Sequence, residues 1–376
     1  MQHWFIAAVL FIGQCGYSQA HAQSDALEAP AVMSELAPST LLLDVRSVGD
    51  RLVAVGERGH ILMSNDHGQN WSQSQVPVRV TLTASFFAND NKGWAIGHDG
   101  VVITTDDGGY NWRKLLDGYQ ANQLLLDHAR KLYANAKRAL ENASDEERSK
   151  RELEFENAEY RLHDAEAFMS EGASRPFLGI WFKNESEGYI VGAFGMFLQT
   201  LDGGNSWQPV VERLQNPDGF HLNAIRRIGG QLFIVAEAGG IFRSDDDGKS
   251  WTLLASPYEG SFFGISGNEQ GLLVVYGLRG HAFFSLDRGD SWQPVATNTD
   301  KTILGGTLLK NGQVLLIGYG GSMIVVDKLG NVVSSQNTTS RLPITDAVDM
   351  GAEGIVTVGI GGARIHPSQQ NAQGVN

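Results

Sequence analysis

One pair of glycines recurs at almost constant distance along this chain, and nothing else in it limits the fold so strongly. Seven units carry a short apolar strand pattern interrupted by Gly-x-x-Gly or a near variant. They read VAVGERGHILMS from Val53, WAIGHDGVVITT from Trp94, YIVGAFGMFLQT from Tyr189 and FIVAEAGGIFRS from Phe233. VVYGLRGHAFFS from Val274, LLIGYGGSMIVV from Leu315 and VTVGIGGARIHP from Val356 complete the set. The second glycines (Gly59, Gly100, Gly195, Gly239, Gly280, Gly321 and Gly362) are separated by 41, 95, 44, 41, 41 and 41 residues. A period near 41 built from short alternating strands is that of a β-propeller blade. The 376 residues could hold two or three average domains. Seven units at one period make them a single all-β ring instead, a seven-bladed β-propeller with four antiparallel strands per blade.

Five units continue into a second motif. Ser or Thr stands seven residues before a Trp, Asp five before and Gly three before. The sets are Ser64/Asp66/Gly68/Trp71, Thr105/Asp107/Gly109/Trp112, Thr200/Asp202/Gly204/Trp207, Ser244/Asp246/Gly248/Trp251 and Ser285/Asp287/Gly289/Trp292. This box falls between the third and fourth strands of each blade, where it is expected to act as a structural staple. The Asp accepts hydrogen bonds from turn amides, as in Asx turns, the Gly permits positive φ, and the Trp lays a large flat face on the sheet. SDDDG at 244–248 has a calcium-like look but stands in register with the other boxes, so no metal site is expected there.

The sixth unit keeps Asp327 and Gly330 without a Trp, and the seventh stops near His366, short of a fourth strand. Residues 23–40 are the spare chain from which a closing strand is expected. Residues 41–118 then form blades one and two, 176–366 form blades three to seven, and 367–376 form a disordered tail.

The five boxes match the Asp-box, or BNR, repeat, and blades of the WAIGHDGVVITTDDGGYNW kind resemble the photosystem II assembly-factor-like family. The resemblance covers roughly residues 41–366 apart from one insertion. It implies a seven-bladed propeller exported to the thylakoid lumen or the bacterial periplasm, and assembly or accessory work for a membrane protein complex. In photosynthetic organisms that complex is photosystem II. In other bacteria such propellers resemble accessories of RND-type transporters, the reading favoured here because the inserted arm is foreign to the plain photosynthetic pattern.

That insertion, residues 119–175, fills the long gap between the second and third blades. Leu125, Ala129, Leu132, Ala136 and Ala139 follow helical spacing, and Phe155, Ala158, Leu162, Ala165 and Met169 follow a heptad-like one. Ser144-Asp145-Glu146-Glu147 between them reads as a capping box opening the second helix. An antiparallel helical hairpin results. It is inserted in a four-to-one connection, so it rises on the face that carries the Gly-x-x-Gly turns, opposite the boxes. Arg58, His98, Phe194, Arg279 and Tyr319 at the tips of those turns are the candidate partner-binding face.

Other functions find less support. The net charge of −13 argues against nucleic acid. No Gly-x-Ser-x-Gly elbow, His-Glu-x-x-His or phosphate loop occurs, and the histidines show no ligand spacing, so no catalytic residue, metal or small-molecule cofactor is expected. The alternative is a secreted glycan-binding or sialidase-like Asp-box propeller. Sialidases, however, are six-bladed and carry an Arg-Ile-Pro-like motif before their first box, where this chain reads LLLDVRSVG. At the start of the chain, an apolar run from Trp4 to Ile12 precedes Ala20-His21-Ala22, which reads as a signal peptide (residues 1–22) cut after Ala22. Cys15, the one cysteine, falls within it, so the mature chain is expected to be a cysteine-free periplasmic protein.

Overall fold

A computed structural model describes residues 25–367. The expected signal peptide, and all but the first residue of the expected tail, lie outside the described residues. Six four-stranded antiparallel sheets and one three-stranded sheet follow one another around a ring. Their innermost strands are Leu42–Val48, Leu82–Phe87, Phe177–Phe182, Leu222–Ile228, Phe262–Gly267, Ile303–Leu308 and Ile344–Asp349. The second strands, such as Gly188–Gly192 and Val314–Gly318, are buried at every position in blades two to six, and beyond their half-buried first residue in blades one and seven. Neighbouring blades cover both of their faces, so they read as unbroken apolar runs, whereas half-exposed strands would alternate.

In the first six units the Gly-x-x-Gly turn is a single 3-10 turn whose middle residue enters the left-handed region, as at Arg58 (φ 57°) and Phe194 (φ 53°); in the seventh it is a plain turn with Gly361 at φ 82°. The second glycine is demanded by its neighbour. A Cβ built on Gly59 would lie 2.1 Å from the carbonyl oxygen of Val78, in the chain passing from blade one to blade two. No side chain fits there.

Ring closure differs from the expectation. Among the described residues, 25–40 form no strand, and the last sheet has three strands only. Pro30 and Pro38 lack the N–H that a ladder needs. The segment lies instead over blades one and two. Ala31 N donates to Val76 O, Arg79 N donates to Ala26 O, and Leu27 is buried beside Val76, Val78 and Val80. It then crosses to blade seven, where the Pro38 carbonyl oxygen would lie 1.8 Å from a Cβ on Gly362. Pro38 thus does for the seventh blade what Val78 does for the first.

The boxes are staples of one design. The Ser64 hydroxyl accepts from Gly68 N (2.8 Å) and donates to Asp66 Oδ1 (2.8 Å), which also accepts from Asn70 N (2.8 Å). The boxes of Thr105/Asp107, Thr200/Asp202, Ser244/Asp246 and Ser285/Asp287 repeat these three bonds, and every box glycine has positive φ. The residue before the Trp supplies a further bond to the second carboxylate oxygen: Asn70, Asn111, Ser206, Ser250 or Ser291. That position, always Asn or Ser, went unread in the sequence.

The box glycines have the positive φ expected of them and a second role that was not expected. Gly109, Gly204, Gly248 and Gly289 are buried, and Gly68 is half-buried. The reason is that each one packs on the preceding blade. A Cβ would lie 3.2 Å from Met63 Sδ at Gly109, 2.9 Å from Leu115 Cδ1 at Gly204, 2.6 Å from the Tyr189 ring at Gly248 and 2.8 Å from Leu254 Cδ1 at Gly289. At Gly68 it would lie 3.1 Å from Val356 Cγ2, in blade seven. The hydroxyl residues Ser64, Thr105, Thr200, Ser244 and Ser285 are buried as well. The Trp side chains divide. Trp112 and Trp207 are buried, while Trp71, Trp251 and Trp292 are half-buried. The indole N–H donates to the box glycine carbonyl at Trp71, Trp112 and Trp251 but finds no acceptor at Trp207 or Trp292.

The hairpin consists of α1 (Gly118–Glu141) and α2 (Arg148–Glu171). The capping box expected at Ser144–Glu147 does not cap α2. Ser144 Oγ bonds the Glu147 side chain in a turn ahead of the helix, and Glu147, at the N-cap, makes no side-chain cap bond. The capping box belongs to α1, where Asp117 and Gln120 exchange side-chain-to-backbone bonds of 3.2 and 3.1 Å. Of the expected seam, Ala129, Ala158 and Ala165 are buried, but Met169 is exposed, and Phe168 turns towards the ring in its place.

Two outcomes follow for the staples. Trp207→Ala should cost about 3–5 kcal/mol of stability, the usual range for emptying a buried Trp site, read by chemical denaturation. Hydrogen bonds hold the box carboxylates below their ordinary value, to about 2 at Asp66, where the Asn70 amide leads, and at Asp287, where the Ser291 hydroxyl leads. The folded state therefore keeps them ionised where the unfolded chain would take up protons. Their stabilisation is complete above about pH 4 and is lost as pH falls from about 4 towards 2. Asp287→Asn should lower the melting temperature at pH 6 and flatten its fall over that acid window.

Candidate functional site

Two places bring polar chemistry together: the central channel, and the groove where the hairpin meets the ring.

In the channel, side chains of the innermost strands bond the backbone of the next blade. Thr83 Oγ1 donates to Phe177 O (2.6 Å), Asn223 Nδ2 to Phe262 O (2.8 Å) and Thr345 Oγ1 to Leu42 O (2.8 Å), all from the second position of their strands. Ser266 Oγ donates to Gly306 O at 2.7 Å. Asp44 joins blade one to blade two by accepting from Ser85 N (3.0 Å) and Ser85 Oγ (2.6 Å), and it pairs with Arg46. Asp346 joins blade seven to blade one by accepting from Val45 N (3.1 Å). Burial pushes the Asp346 carboxyl above the usual carboxylate range, against the pull of Arg46. Arg226 projects into the same space and, among the described residues, donates only to its neighbour's carbonyl, Ile225 O (3.0 Å); burial and the Arg46 charge push its pKa down. These charges make a cross-braced hub.

The groove is built from the insertion. Gly118, the first residue of α1, abuts the blade-two turn, since a Cβ on it would lie 2.6 Å from Asp99 O. Ala121 is buried against the ring beside Phe177 and Met196. On the return, Arg175 is buried over the face of Phe168 (3.4 Å to the centroid), with Phe194 at 5.2 Å, and it pairs with Glu171. His128 Nε2 meets Glu212 Oε2 at 2.8 Å, which ties α1 to the connection between blades three and four. The hairpin thus leans over blade three. Beneath it Leu125, Leu132, Phe168, Met196, Val211 and Leu214 enclose a groove of about 80 Å³.

All twenty expected box residues stand in their turns, on the face away from the hairpin. Of the expected partner face, Arg58, His98, Arg279 and Tyr319 are exposed and make no side-chain hydrogen bond or ion pair among the described residues. They are spread over blades one, two, five and six. Phe194 alone lines the groove, half covered by Phe168, Arg175 and His221. The sequence reading missed the channel charges and Arg161, which overlooks the groove. The signal for the former was charge inside an inner strand, as in LLLDVRSVG and NAIRRIG.

Residues 20–123 and 167–371 match the family described as photosynthesis system II assembly factor YCF48. The chain is 27% identical over 161 residues to the photosystem II assembly lipoprotein Ycf48 of Synechococcus sp. (strain CC9902), which covers 41% of this chain and 44% of that protein. It is 24% identical over 272 residues to the photosystem II stability/assembly factor HCF136 of Arabidopsis thaliana, covering 65% and 64%. The chain spans about half the length of the curated relatives it matches first. The solved YCF48 of Cyanidioschyzon merolae superposes with a TM-score of 0.57 at 15% identity, over 89% of this chain and 97% of that one, a likeness of fold.

The channel charges predict opposite mutational signs. A carboxyl whose folded pKa is raised disfavours the fold when ionised. That penalty stands at neutral pH and disappears as pH falls towards the ordinary carboxylate value near 4. Asp346→Asn keeps an acceptor for Val45 N. It should raise the melting temperature at pH 7, with the gain shrinking towards pH 4. Asp44→Asn, which strips Arg46 of its carboxylate, should lower it.

Proposed function

Since the chain belongs to the YCF48 family of photosystem II assembly factors, we propose that it is a non-enzymatic scaffold that assists the assembly or stability of a membrane protein complex. The observation that carries this reading is the hairpin. It lies outside both segments that match the family over most of its length, yet it is fixed against the turn face by Arg175, Phe168 and Phe194 and by the His128–Glu212 pair. Outside its family-matching segments the chain carries an oriented surface, and an oriented surface suits binding. The box carboxylates, already occupied by their own turn amides and hydroxyls, are poor candidates for catalysis. Within the class of membrane complexes an RND-type transporter is the favoured partner, met on the periplasmic side. The turn tips Arg58, His98, Arg279 and Tyr319 extend the same face.

The experiment is to remove the hairpin. Gly118 and Ala173 already touch, a Cβ on the one lying 2.8 Å from that of the other, so a short Gly/Ser linker can replace Tyr119–Glu171 without stretching the ring. The variant should keep a near-native β spectrum by circular dichroism. Recovery of co-purifying membrane proteins should drop about tenfold or more. Undiminished recovery on a folded ring would move the binding surface elsewhere, and selective retention of the chain on a glycan array would favour the carbohydrate-binding alternative.

A further inference from the structure

We propose that the mouth of the central channel on the box face holds a small aromatic acid, its carboxylate between Arg46 and Arg226 and its ring on Phe86 and Trp181. These four are the fifth residues of the innermost strands of blades one to four, Leu42–Val48, Leu82–Phe87, Phe177–Phe182 and Leu222–Ile228. They therefore stand at one level of the channel, in the ring order Arg, Phe, Trp, Arg. Each innermost strand runs from the turn face to the box face, so this level lies near the box-face end. All four line an open recess of about 260 Å³ there. A cavity of roughly 150 Å³ holds a benzene, so the recess has room for a single ring and its acid group.

Two guanidinium groups that share one space repel, and only one of this pair is neutralised. Arg46 is held by Asp44 and donates to Ser85 O (3.3 Å). Arg226 forms no ion pair among the described residues, and only its Nη1 is engaged, with Ile225 O. The acids that face the pair are committed: Asp44 to Arg46 and to Ser85, and Asp346 to the Val45 amide, its carboxyl pushed up by burial. Arg227, at the same mouth, already has Asp247. A carboxylate set between Arg46 and Arg226 would relieve their repulsion and give Arg226 the bidentate acceptor it lacks. Beyond the arginines the channel continues as a chamber of about 140 Å³ with Asn223, Tyr276, Thr307 and Thr345 in its walls. That chamber suits water better than a ring, so the acid group leads and the ring stays in the recess. An inorganic anion would leave Phe86 and Trp181 unused, and an uncharged ring would leave Arg226 unmet. The site asks for both in one small molecule.

The recess opens on the face opposite the hairpin, so this inference goes beyond the partner surface and stands or falls without it. Benzoate is titrated into the purified full chain at pH 7 by calorimetry, beside benzamide and sulfate. Benzoate should bind about tenfold or more tightly than either, a comparison that needs no variant. Arg226→Gln, with fold verified by circular dichroism, should erase the preference for benzoate over benzamide, and Arg226→Lys should restore part of it. Phe86→Ala should weaken benzoate about fivefold and leave sulfate unchanged. No binding of benzoate, equal binding of benzoate and benzamide, or an unaltered preference in Arg226→Gln would overturn the proposal. Sulfate binding as tightly as benzoate would overturn it as well, in favour of a plain anion site.

Discussion

The ring depends on one close approach repeated around it: the chain leaving each blade for the next runs directly over the second glycine of the blade's inner turn. At Gly59, Gly239, Gly280 and Gly362, a carbonyl oxygen of the passing chain would lie about 2 Å from a Cβ (2.1, 1.9, 2.0 and 1.8 Å). The contact fixes where the connection crosses, and so where the next innermost strand begins. The same event explains why one glycine marks the period and why its neighbours vary freely. It also explains closure. Pro38 occupies at Gly362 the place that Val78 occupies at Gly59, so the seventh blade can hand over to the first without a borrowed strand.

Inside and outside the ring the chain solves two different problems. At the outer turns, each box satisfies its own backbone through an ionised Asp whose hydrogen bonds stay within the turn. Contact with the preceding blade comes from the box glycine, which presents bare backbone to a side chain such as Leu115 or Tyr189, and from side chains of that blade that donate to box carbonyls, as Trp94 Nε1 does to Gly203 O (2.9 Å) and Tyr189 OH to Asp247 O (3.0 Å). In the channel, the hydrogen bonds themselves run between blades: Thr83 to Phe177, Asn223 to Phe262, Thr345 to Leu42, Asp44 to Ser85. The outer staples should govern how well each blade folds and how closely it seats, and the inner bonds how the blades register. The charges Asp44, which is buried, and Arg46 and Asp346, which are half-buried, stand at the junctions of blade one with both of its neighbours, where the two ends of the ring must meet. Their net cost is tolerable because Ser85 and the Val45 amide complete their hydrogen bonds.

Much of this is written in the sequence. The period, the boxes and both helices are local patterns, and each is legible because its residues contact one another within a few positions. The failures are mostly non-local. The contacts that hold residues 25–40, to Val76, Arg79 and Gly362, lie 40 to over 300 residues away, and no pattern within the segment points to them. The burial of Gly109, Gly204, Gly248 and Gly289 comes from side chains 35 to 89 positions earlier, such as Tyr189 against Gly248. The cap is the exception: Ser144 and Glu147 have the spacing for α2, whereas Asp117 and Gln120, equally well spaced, cap α1 instead. Met169 fits the heptad by number, but the ring beside the hairpin draws Phe168 inward. Arg161 looks like one more charge on a charged helix, and only the lean of the hairpin over blade three half-buries it.

That lean bears on function through entropy. Ion pairs such as Arg148–Glu152 and Arg151–Glu154 stud α2, and its two fully buried residues are alanines. Such a helix pair, standing alone, has little apolar surface with which to hold itself together. The ring supplies the remainder. Ala121 enters the blade-three cluster, and Arg175 is gripped between Phe168 and Phe194. The hairpin's direction is therefore set at its base before any partner arrives. A surface already ordered spares the partner the cost of ordering it, so a modest contact area on this face can sustain binding that a free-swinging arm of the same composition could not.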